Sequence, residues 1–150
     1  MRPYMVSMIP EQDLFLFQEI ERVVQKMPDV DLGKDEEGMR ILVSCHMVVR
    51  AITRLFPEVA RKDGYFTKNA KKGIRHSWLV IKRNPNLLID PYPVALVGGP
   101  IMVHCGFFTV PWDSLYIAAR LSDLGGSQFR RHVAQVTRAM RGAMAKSSSP

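Results

Sequence analysis

Two apolar runs, His76–Lys82 and Leu87–Asp90, stand on either side of the turn-forming segment Arg83-Asn84-Pro85-Asn86. Both are too short for a helix, and Trp78, Val80 and Ile81 favour a buried strand, so the pattern predicts a β-hairpin. The return run, Leu87-Leu88-Ile89-Asp90, ends on a carboxylate. A carboxylate buried there is costly unless something pairs with it. Pro91 biases Asp90 toward an extended backbone. A tight turn then brings Asp90 within a few residues of the level of His76, across a strand spacing of roughly 4.8 Å. His76 is therefore the expected partner of Asp90, and the rest of the chain has to fold around that hairpin.

Ahead of it, Leu14, Phe15, Phe17, Ile20, Val23, Val24 and Met27 recur at helical spacing, with Pro10 before them and Pro28 after, predicting a helix over Glu11–Met27. Asp29–Gly38 is acidic and turn-rich, a loop. A second helix runs to Phe56, before Pro57, with Met47, Val48, Ala51, Ile52 and Leu55 as its buried stripe. Its start is open: Ser44 caps a helix led by Cys45, or Arg40–Val43 forms an earlier turn. Val59–Phe66 holds a short strand, Thr67–Gly73 a basic loop, and Ile101–Phe108 a third strand after Gly98-Gly99-Pro100. Helices are expected over Trp112–Leu121 and Ser127–Ala145, divided by Gly125-Gly126, with a fraying tail from Lys146 to Pro150. The expected architecture is one α+β domain over residues 1–150. Its core, about 40–110, is a nucleophile-bearing helix on a small antiparallel sheet, flanked by N- and C-terminal helices.

With 150 residues, 47% hydrophobic and 23% charged, the chain suffices for one core. No segment approaches the roughly 20 apolar residues that span a bilayer, so no membrane partner is expected. The first ten residues lack the apolar run of a secretory signal, and the expected compartment is the cytoplasm. There Cys45 and Cys105 are expected as free thiols. The net charge of +7 gathers in Arg61, Lys62, Lys68, Lys71, Lys72 and Arg75, and again in Arg130, Arg131, Arg138, Arg141 and Lys146. Such clusters attract anionic partners, nucleic acid or acidic substrates among them. No nucleic-acid motif accompanies the charge, and a solvated surface is the plainer reading.

Cysteine becomes a useful nucleophile only as the thiolate, and its ordinary pKa of about 8.5 is lowered at helix N-termini and beside an imidazolium. Cys45 in Val-Ser-Cys-His-Met is offered the first by its position, and His76 in His-Ser-Trp-Leu can supply the second. A carboxylate on the other ring nitrogen orients the histidine and favours its charged form, the role open to Asp90. Ser44, His46, Trp78 and Tyr92 flank the three and are the candidate substrate contacts. The Cys45 backbone N–H is one oxyanion donor.

A cysteine leading a helix, then His-Ser-Trp-Leu opening a strand, then Ile-Asp-Pro closing the next, resembles the transglutaminase-like branch of the papain-like cysteine hydrolases. The likeness spans about Ser44–Pro93. It implies a nucleophilic Cys45, an acid–base His76 and an orienting Asp90 acting on an amide or ester bond, with a peptide or other amide-containing substrate and no cofactor or metal.

Taken singly, Cys45 reads as a small core hydrophobe, His76 as a sheet-edge histidine and Asp90 as an Asp-Pro turn. It is their conjunction that carries the reading. Zinc held by Cys45, His46, His104 and Cys105 is disfavoured, because strand neighbours such as His104 and Cys105 point to opposite faces. Cys105 as nucleophile is disfavoured by its apolar strand, which raises a thiol pKa. The rival functions are a non-catalytic module of the same fold that docks an acidic partner or nucleic acid, and a cell-wall peptide amidase.

Overall fold

In the computed structural model, residues 9–69, 72–91, 101–104 and 116–147 are described, with side chains for 9–66, 73–91 and 116–145. The elements are helix α1 (Glu11–Lys26), helix α2 (Cys45–Leu55), strands β1 (Val59–Asn69), β2 (Lys72–Ile81), β3 (Asn84–Asp90), β4 (Ile101–His104) and β5 (Tyr116–Ala118), and helix α3 (Ser127–Ser147). The strands form one antiparallel sheet in the order β4-β3-β2-β1-β5. This is the expected α+β class. Among the described residues no helix is long and apolar enough to cross a membrane.

The apolar stripes do what their spacing dictates. Leu16, Ile20 and Val23 of α1, Met47, Val48, Ala51 and Ile52 of α2, and Val133, Val136 and Met140 of α3 are buried in one cluster with Val59, Leu79, Ile81, Leu87 and Ile89 of the sheet. Alternation along the strands sends Trp78 and Leu88 to the opposite face, where they join Phe66 and Tyr116 in a second, aromatic cluster. A buried Asp13 near the start of α1 ties this helix to the β2–β3 turn by accepting from Arg83 and Asn84.

Three expectations need correction. Thr67–Gly73 is not simply a loop: β1 continues to Asn69 and β2 begins at Lys72, pairing through an irregularity between Phe66 and Asn69. Ladder hydrogen bonds come from the backbone, so lysines and asparagines in the sequence do not by themselves end a strand. Tyr116–Ala118, expected within the Trp112–Leu121 helix, is a strand that pairs with Gly64–Phe66. Pairing with an open sheet edge outweighed a weak helical propensity there. Finally, α3 runs through Lys146 to Ser147 instead of fraying at Lys146. Of the strand expected over Ile101–Phe108, Ile101–His104 is β4 and 105–108 lie outside the described residues.

Gly64 is where β5 closes on the sheet. A Cβ there would meet the Ile117 carbonyl oxygen at 2.0 Å and the Ala119 nitrogen at 2.8 Å, so only glycine admits the crossing. We expect Gly64→Ala to cost about 1–3 kcal/mol, as overpacking does, and to lower the melting temperature by roughly 2–4 °C per kcal/mol. A melting curve identical to wild type would contradict this close approach.

Candidate active site

The placement of Cys45 begins with a cap. Ser44 is extended (φ −109°, ψ 162°), and its hydroxyl accepts from the Met47 N–H at 3.4 Å, so the helix starts at Cys45 and not at Arg40–Val43. Cys45 therefore occupies the first turn, where N–H groups lack helical acceptors and the dipole favours an anion. No acidic side chain in that turn offsets this field. The thiol is half-buried and unpaired by any disulfide.

The sheet brings the other two groups to it. Pairing of β2 with β3 ends at Leu79 and Ile89, and one further step in that register sets Asp90 level with Trp78. The strand β2 thus runs past the end of β3, and His76 lies two residues beyond, on the same face as Trp78. Its imidazole spans the gap. Nδ1 lies 3.3 Å from Cys45 Sγ, and Nε2 lies 2.8 Å from Asp90 Oδ2. The three residues predicted from the sequence meet in one line, with His76 and Asp90 wholly buried.

Tyr116 was not foreseen. Its hydroxyl donates to the same Asp90 Oδ2 at 2.8 Å, so the carboxylate is held from two sides. Phe66, Trp78 and Tyr116 enclose the imidazole. Trp78 stacks on it at 6.1 Å between centroids, Phe66 meets it edge-on at 6.2 Å, and Tyr116 is tilted at 6.2 Å. Trp78, a candidate substrate contact, is 3% exposed and packs behind His76. Ser44 spends its hydroxyl on the cap, and His46 faces Ser77, with Nδ1 2.6 Å from its Oγ. Tyr92, Lys71 and Cys105 lie outside the described residues, and for Lys72 and His104 only the backbone is described.

Burial pushes the Cys45 thiol up, but the influence of His46 and His76, through hydrogen bonding and charge, more than reverses this and brings it down to about 6. Burial alone would push His76 down. The hydrogen bonds to Asp90 and Cys45, and the charges on both, carry it from 6.5 up to about 9. Each group stabilises the other's charged form, so the pair rests as thiolate and imidazolium between those limits. Such a site holds a nucleophile and a proton donor ready at neutral pH.

The positive charge is partly committed elsewhere. Arg61 bonds Asp63 at 3.2 Å, Arg75 bonds Asp123, and Arg130 donates to the Gly125 carbonyl. Among the described residues, two clefts sit apart from the line of three. One of about 350 Å³ lies between the end of α1 and residues 40–43, and one of about 240 Å³ is lined by Arg50, Arg54, Arg61 and Arg130.

Cys45 alkylation should rise through an ionisation near pH 6, well below the ordinary thiol range. A second change is expected near pH 9, where His76 loses its proton and the thiolate loses its cationic neighbour. Iodoacetamide labelling across pH with mass spectrometry measures both, and a single ionisation above pH 8 would rule the ion pair out. No family model, curated protein or solved structure matches the chain, so the reading of this site rests on its geometry.

Proposed function

We propose that this chain is a cysteine hydrolase or acyltransferase of the transglutaminase-like type, acting on an amide or ester bond through a thioester on Cys45. The observation that carries this reading is the unbroken line from Cys45 Sγ through the His76 imidazole to Asp90, at 3.3 and 2.8 Å. The order of elements also supports it. A helix led by the cysteine lies on antiparallel strands that carry the histidine and then the aspartate.

In the first half-reaction the Cys45 thiolate attacks the carbonyl carbon, forming a C–S bond and an oxyanion. In this reading the first-turn N–H groups of α2, that of Cys45 among them, receive this oxyanion. Collapse breaks the C–N or C–O bond, and the leaving group takes the proton from His76 Nδ1. In the second half-reaction water or an amine attacks the thioester, returns its proton to His76, and the C–S bond breaks to restore the thiolate. Asp90, held by Tyr116, keeps the ring oriented throughout.

The competing idea, a docking module that works through its basic surface, is weakened by the commitment of Arg61, Arg75 and Arg130 to acceptors within the protein. Incubation with p-nitrophenyl esters and a panel of peptide amides, followed by intact-mass spectrometry, separates the two. An acyl adduct on Cys45 is expected, absent in Cys45→Ala and formed about 10²–10⁴-fold more slowly in His76→Ala, the usual worth of a positioned acid–base group. No adduct on Cys45, together with salt-sensitive binding of a polyanion that survives Cys45→Ala, would favour docking instead.

A further inference from the structure

The fold gathers arginines that lie far apart in the chain around the cleft of about 240 Å³. Arg50 and Arg54 reach it from α2, Arg61 from β1, and Arg130 from the first turn of α3. Arg61 and Arg130 come from the two basic segments of the sequence, and α2 supplies the other two. Among the described residues, no acidic side chain lines this cleft. Arg50 and Arg54 stand four positions apart on one helix, a spacing at which like charges repel. Such a gathering opposes folding unless an anion answers it.

The protein answers only part of that charge. Asp63 accepts from Arg50 through both carboxylate oxygens, at 3.0 and 2.9 Å, and from Arg61 at 3.2 Å. Arg130 gives an N–H to the Gly125 carbonyl, and Arg50 lies 5.3 Å from the ring centre of Phe129, which also lines the cleft. A guanidinium carries five donors, so these bonds steady Arg61 and Arg130 and leave most of their N–H groups for a ligand. Arg54 is exposed and bonds to none of the described residues. The cleft also meets the start of α3 through Gly125 and Phe129. The Arg130 N–H bonds the Gly126 carbonyl at 3.0 Å, and the N–H groups of Ser127, Gln128 and Phe129 before it lack helical acceptors. No acidic side chain stands in that turn, and Asp123 just ahead of it is spent on Arg75. The helix dipole therefore adds to the field of the arginines.

We propose that this cleft binds the phosphate group of a small phosphorylated molecule, held by Arg54, Arg61 and Arg130 beside the first turn of α3. Four guanidiniums against the one carboxylate of Asp63 leave an excess of three positive charges, enough for a phosphate monoester near its second ionisation. The planar fork of each guanidinium matches two phosphate oxygens at once, which a carboxylate-poor, arginine-lined pocket exploits and a lysine-lined one does not. The volume is below the roughly 300–1,000 Å³ of pockets for drug-sized ligands, so it suits a compact anion and not a nucleic-acid strand. Arg50, tied to Asp63 and to the His46 carbonyl at 3.2 Å, is a positioning residue that fixes the wall of the cleft. The site does not involve Cys45, and it stands whether or not the thiol is catalytic.

Titration calorimetry with phenyl phosphate, at constant ionic strength, tests the assignment. Saturable binding of one equivalent is expected in wild type and, unchanged, in Cys45→Ala. Arg54→Gln and Arg130→Gln replace exposed side chains and should each weaken binding about tenfold, the worth of one charge-assisted bond. Arg138→Gln removes the same charge from an exposed position of α3 outside the cleft, and it should change the affinity by less than about twofold because salt screens it. Backbone ¹H–¹⁵N spectra recorded along the titration should show their largest shifts at Ser127–Arg130. Absence of saturable binding would overturn the proposal, and so would shifts centred away from the start of α3. Equal losses in Arg54→Gln, Arg130→Gln and Arg138→Gln would overturn it too, since they would mean attraction to the net charge and no built site.

Discussion

A carboxylate at the end of a strand, shut away from water, sets the terms for much of this structure. Asp90 is wholly buried, and an uncompensated charge there would cost several kcal/mol. The His76 imidazole and the Tyr116 hydroxyl answer it, each at 2.8 Å. Hydrogen bonds to a charged group return about 1.5–3 kcal/mol apiece, roughly what desolvation takes away. A buried charge cluster is in general weak evidence of stability. What it does achieve is to fix the His76 ring with one nitrogen on the carboxylate and the other on the Cys45 sulfur.

Each part of the frame can be traced to that demand. The strand β3 must stop at Asp90 so that β2 can carry His76 past it toward the first turn of α2. The strand β5 must cross β1 closely enough for Tyr116 to reach the carboxylate, and Gly64 permits the crossing. The aromatic cluster of Phe66, Trp78 and Tyr116 excludes water from the imidazole, which strengthens every electrostatic contact it makes. The helices occupy the other face, with α2 presenting Cys45 at its capped end.

Arg50 and Asp63 repeat this logic on the helix side of the sheet. A nearly buried guanidinium meets a carboxylate bidentately, and the pair reaches His46 through Ser77 and through the His46 carbonyl. Two carboxylates, each neutralised by a different partner, thus stand behind two histidines near one thiol. Polar and charged groups thus stand near the thiol on both faces of β2.

Local signals made part of this readable in the amino-acid sequence. Periodicity marked α1, proline marked where α1 and α2 stop, and Ser44 ahead of Cys45 named one of two helix starts. Asp90 after three apolar residues, with His76 in the facing strand, announced a buried pair because both ends of one short hairpin lie within a few residues of each other. Other features had no local signature. Tyr116 lies in a segment whose spacing fits a helix, and it became a strand only because the edge of β1 was open to pair with it. Asp63, Ser77 and Arg50 are unremarkable in their own segments, and their linkage depends on the β1–β2 register and on which turn of α2 sits above it. The sequence by itself determined which residues were chemically able to form a site, since capping, periodicity and turn chemistry act over a few positions. Which of them meet was decided by strand register and helix placement, because these are settled by packing between segments far apart in the chain.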